Sequence, residues 1–217
     1  MISIEARSLP RYHPLEVEVL LPLPPAVRGF WFDDEMLNAT GLTSVPLLRK
    51  VQGLGLLESS HVAMSVGGRR RVWTFPDVLL GQLLFRFSEL ARMPVQAAAE
   101  WLVQLPRDWL LKAIDLKQLV DEAMGEPFDP PELVGTTFII IDMQDVWFEQ
   151  TPDYFMQAGK PEAAAISQDM EIQSMDELLE NVGTALLVDV GAINLTVCDR
   201  VRDERLAYNA ARERARS

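Results

Sequence analysis

Hydrophobic and polar positions first fall into a helical period near residue 33. Asp33, Asp34 and Glu35 precede Met36, Leu37 and Leu42, and acids suit the positive end of a helix. Gly41 closes this short helix. Thr43 or Ser44 caps a second one over about 45–52, and the run Gly53-Leu54-Gly55-Leu56-Leu57 ends it. Two short helices joined by a tight glycine-containing turn are the helix-turn-helix arrangement. The period then changes to two. Val62, Met64 and Val66 alternate with small or polar residues, Gly67-Gly68 interrupts, and Arg69-Arg70-Arg71 lead into Val72-Trp73-Thr74-Phe75. Gly-Gly between strand-like runs predicts a hairpin, which after a helix-turn-helix is a wing. Pro76 and Asp77 open a third helix, striped by Val78, Leu79, Leu83, Leu84, Phe87 and Leu90 and broken by Pro94. A fourth spans about 95–105 and carries Ala98, Trp101 and Leu102.

The flanks read differently. Residues 1–30 are proline-rich and form an N-terminal arm. In it Val17, Val19 and Leu21 suit a short edge strand that Pro22, Pro24 and Pro25 should end. A helical connector is expected over 107–124, followed by the clearest linker, 125–131. Beyond it, 137–141, 185–190 and 193–197 are β-branched runs, 160–183 looks helical, and the Arg- and Glu-rich tail from 199 reads as a solvated helix. The expected class is α+β: a winged helix-turn-helix over 31–105, a connector and linker over 106–131, and an acidic α+β domain with a small antiparallel sheet over 132–217.

Composition alters this picture only in part. A chain of 217 residues, 48% hydrophobic and 24% charged, is built like an ordinary globular protein and excludes a disordered tail, a collagen-like fibre or a disulfide scaffold. No run approaches the ~20 apolar residues of a membrane helix, and no secretory leader is evident. The net charge of −12 argues at first against nucleic acid, whose phosphates must be met by Lys and Arg. Its distribution removes the objection. Residues 1–30 hold three acids and three bases, 31–105 hold seven of each, and 106–217 hold 22 acids against 10 bases.

Catalytic and metal chemistry find little support. Cys198 is the one cysteine and suits a buried structural thiol. Asp142, Asp145 and Glu149 read as a solvated strand end, because strand alternation sends Asp142 to the face opposite the other two. No nucleophile elbow, phosphate-cradling glycine loop or zinc spacing is present. The expectation is therefore no enzyme and no cofactor.

The ordered set Ala39-Thr-Gly-Leu-Thr43, Leu48-Arg49, Gly55-Leu56-Leu57, Gly68, Arg71-Val-Trp73 and Asp77 resembles the DNA-binding domain of the MerR family of bacterial winged-helix transcription regulators. The resemblance covers about a third of the chain. It implies that the second helix enters the major groove and that the wing touches the backbone. Arg49 would then contact phosphate or base edges, with Lys50 beside it and Thr43 and Ser44 at the helix start. Arg71 would contact phosphate from the wing, with Arg69 and Arg70 adding charge, and Trp73 would pack against domain and backbone. Two positions depart from the family. Leu47 and Val51 stand where hydroxyl residues usually help to hold the DNA backbone, so affinity is expected to be weaker or differently built. The family's long dimerising coiled coil is not evident either. The expected partners are double-stranded DNA and a second copy bound through the C-terminal half, in a cytoplasmic, nucleoid-associated setting. The alternative is a protein-interaction adaptor that uses the winged helix without DNA.

Overall fold

In the computed structural model of the chain, residues 19–64, 68–111, 136–151, 154–158, 172–180 and 182–216 are described. Helix α1 (Pro25–Arg28) starts on proline and ends at Gly29, whose φ of +82° turns the chain into strand β1 (Phe30–Trp31). Val19 and Leu20 are helical, not extended, and the Leu23 N–H closes a turn onto Leu20 O at 2.9 Å. The expected edge strand is therefore absent where it can be followed. Three prolines within four residues remove the donors a ladder needs, whereas turns and a proline-started helix do not require them. Val17 lies outside the described residues.

Helix α2 (Asp33–Thr40) begins with the Glu35 carboxylate accepting from Phe32 N at 2.8 Å. It ends at Gly41, whose φ is +80° and whose added Cβ would lie 3.1 Å from the Phe85 ring. Helix α3 (Val45–Gly53) is capped by Ser44, which accepts from Leu47 N at 3.4 Å. Strands β2 (Ser60–Ala63) and β3 (Arg69–Thr74) form an antiparallel hairpin running from Ser60↔Val72 to Ala63↔Arg69. β1 joins the other edge of β3, which gives the order β1-β3-β2. Helices α4 (Phe75–Ala91), α5 (Val95–Leu102) and α6 (Arg107–Leu110) follow. The remainder of the expected connector and the whole 125–131 linker lie outside the described residues.

A second antiparallel sheet comprises β4 (Thr137–Ile141), β5 (Asp145–Thr151), β6 (Tyr154–Gln157), β7 (Ile172–Ser174) and β8 (Ala185–Asp189), ordered β7-β6-β5-β4-β8. Helix α7 (Met175–Leu179) precedes β8, and the long helix α8 (Val190–Arg214) follows it. The fold is thus α+β with small antiparallel sheets. One expected strand is overturned: 193–197 belongs to α8. Val190, Gly191, Asn194, Val197, Cys198 and Val201 are its buried positions, so a stripe of spacing three and four prevailed over β-branched composition. Of the 160–183 segment, 160–171 lies outside the described residues, and among the described residues Met175–Leu179 is helical, after a strand.

One hydrophobic core joins these parts. Leu48, Trp73, Leu83 and Phe87 share it with Phe138, Val188 and Val197. Phe87 meets Phe138 edge-on at 5.4 Å, and Trp109 of α6 meets Phe148 at 5.4 Å, both favoured aromatic geometries. Polar ties reinforce the packing. Asn194 Nδ2 donates to Leu110 O at 2.9 Å, and Arg200 donates to Ala39 O at 2.7 Å. α2 lies close on α4, where a Cβ at Gly81 would fall 2.6 Å from Thr40 Cγ2. Among the described residues no helix is long and apolar enough to cross a membrane.

Candidate functional site

The site starts from a charge pattern on a hairpin. β3 carries three successive arginines, and the ladder sets Arg71 opposite His61, Arg70 opposite Val62 and Arg69 opposite Ala63. Strand alternation sends Arg70 to the face opposite Arg69 and Arg71. Arg69 is exposed. Arg70 lies over the Phe32 ring, its guanidinium 3.7 Å from the centroid, with Asp34 Oδ1 3.8 Å away. Arg71 is 15% exposed, and its Nη1 stands 3.8 Å from Asp33 Oδ2. Among the described residues no hydrogen bond satisfies Arg71 Nε or Nη1, and both atoms are buried, so Arg71 adds positive charge to the site through its field more than through free donors.

Behind the arginines is a rigid backing. Trp73 is fully buried, and its indole N–H donates to Asp33 Oδ1 at 2.8 Å. Asp33 therefore links the buried ring to Arg71. Arg28, itself buried, donates to Phe30 O at 3.0 Å and pairs with Glu35, and its guanidinium lies 5.0 Å from the Phe32 ring centroid. The Phe32 ring is thereby held close to two cations, an arrangement that ring electrostatics favours. The hairpin is anchored at its base by Asp77. This buried carboxylate accepts from Glu58 N at 2.8 Å, Thr74 N at 3.0 Å and Thr74 Oγ1 at 2.7 Å, and it pairs with Arg107 at 3.3 Å.

Helix α3 supplies the facing wall. Arg49 is exposed on it, and Phe32, Asp33, Arg49, His61, Arg69, Arg70 and Arg71 line one open cleft of about 270 Å³. Four guanidiniums against one lining carboxylate make this a place for an anion. Guanidinium N–H groups match phosphate or carboxylate oxygens in pairs.

Of the residues singled out from sequence, Arg49, Arg69, Arg70 and Arg71 are brought together. Lys50 lies on the α3 surface outside the cleft lining, its Nζ 3.4 Å from Gln96 Oε1. Thr43 and Ser44 sit at the start of α3, and Ser44 uses its hydroxyl on its own helix. Trp73 requires correction as a contact residue, because full burial leaves it no face for DNA. Its role is to fix Asp33. Sequence reasoning missed Phe32, Asp33 and His61. His61 was within reach, since any hairpin closing near Gly67-Gly68 sets a residue of the incoming strand opposite each arginine. Asp33 was read only as a helix-start acid. Asp142, Asp145 and Glu149 do not converge: they accept from Thr184 N at 2.8 Å, Gln157 Nε2 at 2.7 Å and Thr136 N at 3.2 Å, respectively. No protein-family model, curated protein or solved structure matches the chain.

Proposed function

We propose that the chain is a DNA-binding transcription regulator of winged helix-turn-helix type. α3 enters the major groove and the β2–β3 hairpin rests on the phosphate backbone. The acidic C-terminal half serves a second copy or regulation. The observation that supports this best is the meeting of Arg49 from α3 with Arg69, Arg70 and Arg71 from the hairpin around one cleft. Phosphate contacts of this kind fix register, while base-edge contacts from the helix give sequence preference. The test is duplex binding by fluorescence anisotropy at rising salt, on fragments from upstream of the chain's own coding region. Affinity should fall steeply with salt, and Arg49→Ala and Arg69→Ala should each flatten the log–log slope by about one unit. Absence of binding to any duplex at low salt refutes the proposal.

A second reading, the adaptor, draws on the Asp33–Arg71 and Asp34–Arg70 pairs. The cleft's arginines already take carboxylates, so an acidic segment of a partner protein fits the same groups. Capture of a protein that depends on Arg69, with no duplex binding, would favour it.

A further inference from the structure

A second cation-lined groove lies on another side of the molecule, between α4 and α8. It measures about 340 Å³, with Ile193 and Val197 in its wall and Gln82, Arg86, Thr196 and Arg200 around it. That volume is at the small end of ligand sites, roughly 300–1,000 Å³. Two guanidiniums line it, and among the described residues no carboxylate does, on a chain of net charge −12.

Hydrogen bonds define what each group can offer. Arg200 donates to Ala39 O at 2.7 Å and lies 3.4 Å from Gln82 Oε1, both through Nη2. Its Nε and Nη1 are left for an oxyanion. Gln82 accepts through Oε1, which leaves its amide N–H groups as further donors. Thr196 gives its proton to Ala192 O at 3.0 Å, so it offers an acceptor. Arg86 pairs at 3.1 Å with Glu89, which does not line the groove. On the other side of Arg200 a separate groove holds Glu35 and Glu204. Arg200 thus divides an acidic groove from a cationic one, and an anion has one favourable side.

We propose that the α4–α8 groove binds a small organic anion, with a carboxylate held by Arg86 and Arg200 and a compact apolar body against Ile193 and Val197. Two charge-assisted contacts supply orientation, and the apolar wall supplies discrimination against bare ions.

The test titrates the full chain with benzoate, acetate and benzamide, read by calorimetry and by the shift in Tm. Benzoate should bind saturably and at least tenfold more tightly than acetate, which lacks the ring, and benzamide, which lacks the charge. Arg86→Gln should weaken benzoate at least fivefold while leaving the unliganded Tm unchanged, since Arg86 is exposed and makes only a surface pair. Arg200→Gln should weaken it further. Should Arg200→Gln fail to fold, Arg86→Gln decides alone. Equal binding of benzamide and benzoate, wild-type affinity in Arg86→Gln, or no saturable benzoate binding overturns the proposal. Duplex binding plays no part in the readout, so failure here leaves the DNA reading untouched.

Discussion

Replacing Asp77 with alanine should loosen the hairpin from the rest of the molecule. Its buried carboxylate holds four partners at once: Glu58 N, Thr74 N, Thr74 Oγ1 and Arg107. Those partners come from the loop before β2, the end of β3 and the start of α6. Alanine removes the Asp77 half of the α4 capping box, whose N-cap is Thr74, costing about 1 kcal/mol. It also strands backbone N–H groups and a partly buried guanidinium, and breaking a buried pair from one side costs about 3–5 kcal/mol. These losses overlap, so about 4 kcal/mol is expected for the set. For a chain of this size each kcal/mol moves Tm by about 2–4 °C, so Tm should drop by about 12 °C. Urea unfolding followed by tryptophan fluorescence measures the free energy directly, and Asp77→Asn, which keeps an acceptor oxygen, should lose less than half as much. A loss under about 1 kcal/mol for alanine would show that Asp77 does not anchor the hairpin, and equal losses for alanine and asparagine would show that the carboxylate charge, not a remaining acceptor oxygen, carries the anchor.

Asp34→Asn should strengthen duplex binding a few-fold at low salt, because it frees Arg70 from an exposed carboxylate 3.8 Å away while the Phe32 ring still holds it; the gain should shrink as salt rises, and weaker binding in anisotropy titrations counts against it. Gly41→Ala should destabilise by about 2 kcal/mol, since φ is +80° and the new methyl meets Phe85; the urea midpoint reports this, and no change would mean that the α2–α3 turn relaxes freely. For Glu204, burial and then the Glu35 carboxylate push the carboxyl above its ordinary 4.5, against Arg200 and Arg28. The folded chain therefore binds that proton more tightly than the unfolded chain, and stability is lost as pH rises from 4.5 through the raised value. Glu204→Gln should accordingly exceed wild type in stability at neutral pH and match it in acid; a pH-independent difference in urea midpoints would contradict this.

Much of the first hundred residues was legible because local rules and tertiary packing agree there. Gly41, Ser44, Asp77 and Pro94 each act at the helix boundary their chemistry favours, and Gly68 falls between the two strands of a hairpin. The failures have physical causes too. Strand β1 is two residues long and exists only because β3 offers a free edge, which no local pattern reveals. The 193–197 run is helical against its composition because β-branched content is a weak preference, whereas burial on α8 follows the helical period. At the site, the grouping of Arg49 with the hairpin arginines was legible as a motif. The pairing of Trp73 with Asp33 joins residues 40 positions apart, and it follows from packing alone.

The shared core also bears on how the chain can be handled or rearranged. Phe87 seats its ring against Phe138, and α6 inserts Trp109 beside Phe148, so neither half closes its own interior. A cut after residue 105 would expose aromatic surface to water on both fragments, and a graft of the N-terminal part onto a foreign partner would inherit the same open flank. The N-terminal part is therefore not a detachable cassette. Heating or denaturant should take both halves apart in one cooperative step.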